Sequence, residues 1–149
     1  MPTNGPSTIA SILRAVGLEI AGRLRFDIAP LGQLVTADGE QWTIFRKLRL
    51  VDFGLPAPQA MVEARYNSPQ SLEHNRWTSL MVIPLFAGLR GFRSKLWMHN
   101  GKGDFRVVYE WQTIEDARRF AASLTVRVVD RHSTPGSLKV ELLEVPRLA

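Results

Sequence analysis

Apolar and polar residues alternate along Gly91–Trp111, "GFRSKLWMHNGKGDFRVVYEW", which predicts two strands folded at a glycine-flanked turn. With the turn at Gly101-Lys102, Phe92, Ser94, Leu96 and Met98 stand opposite Trp111, Tyr109, Val107 and Phe105. That face is apolar and has to meet helices. The other face sets Arg93 against Glu110, Lys95 against Val108, Trp97 against Arg106 and His99 against Asp104. Two of those pairs are charge-complementary and one is a cation–π pair. A loop at Asn100-Gly101 would instead oppose Lys95 to Arg106, two like charges, so the first register is preferred.

The neighbouring patterns extend this hairpin into a domain. Ala60–Tyr66 reads as a strand, and Ser71 to about Leu85 as a helix bearing Leu72, Leu80 and Met81, bent or ended near Pro84. Thr113 and Asp116 form a capping-box-like start for a second helix, with Ala117, Phe120, Ala121, Leu124 and Val128 as its buried stripe. Leu138–Leu143 is the last strand. This βαββαβ order predicts an α+β ferredoxin-like fold, an antiparallel sheet with both helices on one face. Residues 1–59 read as a helix–strand extension ending in the proline-marked "FGLPAPQA", and 60–149 as the ferredoxin-like domain. In the extension Ser7 caps a helix whose Ile9, Ile12, Leu13, Val16 and Ile20 share one side. "TADGEQW" turns the chain into a strand, Gln41–Val51, with Trp42, Ile44, Leu48 and Leu50 on one side.

Composition narrows the chemistry. The absence of cysteine excludes disulfides, thiolate metal sites and thiol nucleophiles. No apolar run approaches the roughly 18 residues of a membrane span, and the first residues lack a basic leader, so a cytoplasmic protein is expected. The net charge of +5 favours anionic partners, but the arginines are scattered as on an ordinary solvated surface. No HExxH, GxSxG, Gly-rich phosphate loop or metal-ligand spacing occurs, so neither metal nor cofactor is expected.

On the predicted register the face away from the helices collects Arg93, Lys95, Trp97, His99, Arg106, Val108 and Glu110, joined by Glu63 and Arg65, then Lys139, Glu141 and Leu143. Trp97 and Val108 at its centre argue that a second subunit, the N-terminal segment or both cover it. A covered face holding charges is a cavity suited to a small anionic or aromatic ligand. "KGDFRVVY", Lys102 to Tyr109, superficially matches the strand signature of RNA-recognition motifs, but its stacking aromatics fall on Asp104 and Arg106. No nucleic-acid partner is expected.

"GLRGFRSKLWM", then "VVYEW" followed by "TIEDARRFAASL", resemble the dimeric α/β-barrel superfamily, in particular the small mono-oxygenases related to antibiotic-biosynthesis mono-oxygenases. The resemblance covers about Ala60 to Val145. It implies a homodimer with sheets set face to face, and a ligand pocket inside that barrel or between each sheet and its own helices. It further implies oxidation of a phenolic or polyketide-like substrate by oxygen without metal or flavin. On this view Lys95, Glu110 and His99 are the catalytic candidates. Lys95 or Arg93 would stabilise a phenolate or enolate, and His99 or Glu110 would take a proton. Arg93, Trp97, Arg106 and Arg65 are the substrate-binding candidates, with Trp97 as an aromatic wall. Each catalytic candidate also has a plainer reading: Lys95, Arg93 and Glu110 as cross-strand partners, Trp97 as packing, His99 as an exposed turn residue. An isomerase or cyclase, and a non-catalytic ligand-binding or dimerisation module, remain alternatives. Some superfamily members bind haem through a helix histidine; His132 and His74 each stand without a second ligand, which favours surface roles.

Overall fold

The computed structural model describes Ala10, Ile12, Arg14 and Gly17, then residues 22–52 and 54–145. Most of the N-terminal helix expected from Ser7 onward, with Ile9, Leu13, Val16 and Ile20, lies outside the described residues. The elements run β1 (Leu24–Phe26), β2 (Leu34–Ala37), β3 (Glu40–Leu50), β4 (Ala60–Asn67), α1 (Leu72–Met81), α2 (Ile83–Phe86), β5 (Phe92–His99), β6 (Asp104–Trp111), α3 (Ile114–Ala121), α4 (Leu124–His132) and β7 (Lys139–Glu144).

Among the described residues seven antiparallel strands form one sheet in the order β1-β3-β5-β6-β4-β7, with β2 also paired to β3. The stretch β5-β6-β4-β7 and its helical crossovers are the expected ferredoxin-like arrangement. Ala60, Val62 and Ala64 on β4, and Phe105, Val107, Tyr109 and Trp111 on β6, alternate onto the helix side and join Phe86, Ala117 and Phe120 in one core. The Phe120 ring lies 4.3 Å from Tyr109 and 4.8 Å from Trp111, which fixes α3 against the sheet. At the start of α3 the Thr113 hydroxyl accepts from the Asp116 amide and donates to the Asp116 carboxylate, satisfying backbone groups that the helix leaves free. Pro84 opens the short α2, so the first helical segment breaks where the proline predicts.

The hairpin register differs from the expected one. The Asn100 and Asp104 backbones close it, and Gly101-Lys102-Gly103 form a three-residue loop in which both glycines take positive φ, 74° and 93°. The Asn100 carboxamide oxygen accepts from the Lys102 and Asp104 amides, folding the loop around itself. His99 therefore faces Phe105, Trp97 faces Val107 and Lys95 faces Tyr109, while an irregularity between Phe92 and Ser94 returns Phe92 to Trp111. A one-residue slip exchanges the two faces of a strand. Lys95 and Trp97 consequently lie under the helices, and Leu96 and Met98 look the other way. The expected partners separate: Arg93 donates to Gln112 and the Pro56 carbonyl, Glu110 accepts from Ser94, and Asp104 accepts from Asn67 and Asn100.

A second irregularity divides β3. The pairing with β5 shifts between Ile44 and Arg46, so Trp42 and Ile44 join Met98 on the face away from the helices while Phe45 and Leu48 enter the main core. The four residues expected on one side are thereby split. The tip of the β2–β3 hairpin bends across that second face. Asp38 reaches Arg106 at 3.0 Å and Glu40 reaches Arg65 at 3.0 Å, while Arg106 also holds Glu63 at 2.7 Å. Both guanidiniums lie over the Trp42 ring, at 5.1 Å for Arg65 and 5.7 Å for Arg106. The N-terminal segment thus extends the sheet and covers part of its open side.

Candidate functional site

The face of α1 turned toward the sheet is unusual for a packed helix, because Asn75, Thr78 and Ser79 precede Val82 at helical spacing. No residue of α1 is buried, and Met81, expected in the apolar stripe, is 79% exposed. A polar stripe cannot close down on an apolar sheet, and a cavity of about 270 Å³ is left beneath it. Its walls are Asn75, Thr78, Ser79 and Met81 from α1, Val82 at the α1 C-cap, and Val128, Val129, His132 and Ser133 at the end of α4. Tyr66, Lys95 and Trp97 rise from the sheet. Arg46 braces one edge, donating to the Ser79 hydroxyl and to the Arg76 carbonyl, with its guanidinium 5.4 Å from the Trp97 ring.

Lys95 is the chemical centre of this cavity. It is 2% exposed, and no hydrogen bond or ion pair to Nζ occurs among the described residues. Three aromatic rings surround Nζ instead: Trp97 at 4.4 Å, Phe86 at 4.5 Å and Tyr109 at 4.5 Å. Ring faces attract an ammonium but accept no full hydrogen bond, so they offset only part of its lost hydration. Burial, and next the positive charge of Arg46, hold the Lys95 amine well below its ordinary value. The Tyr66 phenol is pushed up to about 12 by burial. Tyr109 is raised as well, by burial and then by Tyr66, so both phenols are proton donors at neutral pH and not bases.

This arrangement carries a stability prediction. Between the lowered value of folded Lys95 and the ordinary 10.5, the unfolded chain binds more protons than the native one, so native stability rises with pH across that window. Lys95→Met removes the penalty and is expected to stabilise the fold by about 1–4 kcal/mol at neutral pH. The gain should shrink as pH approaches 10.5. Urea denaturation of both proteins at a series of pH values reads this difference, from which the tyrosine titrations cancel. A gain that does not change with pH would mean the native amine is not depressed.

The structure gathers some of the expected site residues and disperses others. Lys95 and Trp97 share the cavity. His99 lies on the helix side but at the hairpin end, 5.8 Å from Phe45, with Nδ1 accepting from the Gly101 amide. Burial and then Arg76 lower its basicity. Arg65 and Arg106 serve the Trp42 cluster, and Arg93 and Glu110 lie toward the opposite end of the hairpin. None of these five lines the cavity. Sequence reasoning does not single out Tyr66, Asn75, Thr78, Ser79 and His132 as cavity residues. The polar i, i+3, i+4 stripe on α1 is the signal that points to Asn75, Thr78 and Ser79.

Three solved structures share this architecture. A ferredoxin-fold protein of Listeria monocytogenes 4b F2365, related to antibiotic-biosynthesis monooxygenases, matches with a TM-score of 0.57 at 9% identity over 78% of this chain and 71% of that one. A monooxygenase-like protein of Listeria innocua matches with a TM-score of 0.55 at 9% identity over 82% of this chain and 84% of its own. A haem-degrading enzyme of Listeria monocytogenes matches with a TM-score of 0.53 at 10% identity over 74% of each chain. No protein-family model and no curated protein matches the sequence. The chain therefore has the ferredoxin-like α+β fold of antibiotic-biosynthesis-monooxygenase-like proteins, and the resemblance read from its hairpin and second helix is borne out as a likeness of fold. Among the described residues no helix is long and apolar enough to cross a membrane.

Proposed function

We propose that the protein binds a one- or two-ring hydroxylated aromatic, or a polyketide-like molecule of that size, between the sheet and helices α1 and α4. There it promotes the molecule's oxidation by oxygen without flavin or metal. The observation that carries this reading is the buried Lys95 amine, without a protein partner among the described residues, on the wall of a cavity shared with Trp97 and Tyr66. A neutral amine takes the proton of a ligand hydroxyl, leaving an ammonium whose burial cost the adjacent phenolate or enolate offsets. The electron-rich anion is the reductant of oxygen, and the cavity walls hold it in place.

The volume of about 270 Å³ lies just under the usual span for drug-sized ligands, and a tetrapyrrole with its substituents exceeds it. His132 lines the cavity with its Nδ1 2.8 Å from the Val128 carbonyl. It is the cavity size, not the imidazole, that does not fit a bound haem.

The reading includes pairing of two copies through the open side of the sheet beyond the β2–β3 tip, where Met61 lies beside Leu143. Light scattering reads that association directly. The chemistry is tested by difference absorbance of hydroxylated naphthalenes titrated with protein at neutral pH, coupled to an oxygen electrode. The wild type should bind the naphthol as its anion and consume oxygen, and Lys95→Met should bind it neutral and without oxygen uptake. Equal anion formation in both proteins would remove Lys95 from the chemistry, and no binding across the panel would remove the ligand class.

A further inference from the structure

We propose that Lys95 is also a nucleophile, condensing with an aldehyde or ketone ligand to form an imine within the cavity. The proposal rests on the reading above only in taking the cavity under α1 as a ligand site; it requires none of the oxygen chemistry.

The geometry supplies what such an amine needs. Lys95 is 2% exposed, yet it lines a cavity and is not sealed into the core. Among the described residues, carboxylates are absent from the cavity lining, so no anion there holds Nζ as an ammonium, and the ring contacts offset only part of its desolvation. Amines become nucleophilic at neutral pH when they are desolvated in an apolar pocket or set near another cation. Both conditions are present. Phe86, Trp97 and Tyr109 supply the apolar cage within 4.5 Å, and Arg46, bracketed over the Trp97 ring, supplies the cation. The other titratable groups facing this space are Tyr66 on β4, Tyr109 on β6 and His132 on α4, and none is an anion at neutral pH.

The step balances without an external reagent. The Nζ lone pair forms the new bond to the carbonyl carbon, and the carbonyl π pair moves to oxygen. A proton passes from Nζ to that oxygen, giving a carbinolamine. Loss of the hydroxyl as water, with the second Nζ proton, leaves the carbon–nitrogen double bond. In sum, one carbonyl compound and the neutral Lys95 amine give one imine and one water, with no change of oxidation state. Tyr66, protonated and on the same wall, donates to the departing hydroxyl and recovers its proton from Nζ. The aromatic walls and the volume favour an aryl aldehyde or ketone of one or two rings.

Only four lysines occur in the chain, Lys47, Lys95, Lys102 and Lys139, so the test resolves by site. The protein is incubated at neutral pH with 2-hydroxy-1-naphthaldehyde and cyanoborohydride, and reductive alkylation is mapped by peptide mass spectrometry. Because lowered basicity raises the neutral amine fraction, Lys95 should be alkylated several-fold faster than the other three. That preference should vanish in urea. Lys95→Met, expected to fold, should lose the adduct. A parallel titration uses 2-naphthol, which has no carbonyl. Naphthol bound with Lys95 alkylated no faster than Lys102 overturns the imine proposal alone. Lys95 alkylated with no naphthol bound leaves the proposal standing and removes the hydroxyaromatic reading. Failure of both overturns both.

Discussion

Trp97→Ala is expected to lower the free energy of unfolding by about 3–5 kcal/mol, the range for removing a large aromatic from a close-packed core. Trp97 is 1% exposed, its ring is 6.1 Å from that of Phe86, and the Arg46 guanidinium and Lys95 Nζ rest on it at 5.4 Å and 4.4 Å. Truncation opens a void continuous with the cavity beneath α1, and the neighbouring rings are held by Phe120 and the sheet, so they cannot collapse into it. It also strips Lys95 of one side of its cage. Had the hairpin closed at Gly101-Lys102, Trp97 would stand on the opposite face. The same truncation would then register through the β2–β3 covering and would leave the helices undisturbed. Urea denaturation gives the number. A loss below about 1 kcal/mol, the size of a typical surface or partly exposed change, would contradict the observed register.

Gly91→Ala should be of similar size for a different reason. Gly91 has φ of 85°, in the left-handed region that costs other residues about 1–2 kcal/mol. In addition, a Cβ at this position would stand 2.2 Å from the Asp116 carboxylate oxygen and 2.7 Å from its Cβ. Asp116 cannot step aside, because Thr113 and Arg119 both bind it and its own amide is capped at the start of α3. The Gly91 carbonyl is fixed as well, accepting from the Gln112 amide at 2.7 Å. Strain and clash together should cost about 3–5 kcal/mol. Gly101→Ala is the matched control: φ is 74° but nothing lies within 4 Å of the added atom, so only the backbone term of about 1–2 kcal/mol remains. Equal losses for the two variants would show that the Asp116 contact yields.

Much of the fold is legible in the sequence because its signals are local. The strands β4 and β6 announce themselves by partial alternation between turn signals, α3 by its capping box, and the break after α1 by Pro84. Each depends on residues within a few positions of one another. The site is less legible, because hairpin parity depends on a single residue. A turn at Asn100-Gly101 is disfavoured by the charge repulsion of Lys95 and Arg106, but Asn100 closes a three-residue loop that opposes Lys95 to neither Val108 nor Arg106. That closure sends the cation toward the helices. Lys95 and Trp97, both candidates on sequence grounds, do meet at a cavity, on the face opposite to the one expected.

By itself the sequence determined the βαββαβ order, the fold class and the starts of α1 and α3, and it singled out Lys95 and Trp97. Those follow from period, capping and turn chemistry, which act over a few residues. The same local patterns missed β1 and β2 and read α3 and α4 as one helix. Tertiary structure alone decided which side of β5 faces the helices, that the β2–β3 tip covers the other side, and that the polar stripe of α1 stands over Lys95. These features depend on loop closure, on bulges and on helix-to-sheet distance. All three are settled by packing between segments far apart in the chain, where no local pattern reaches.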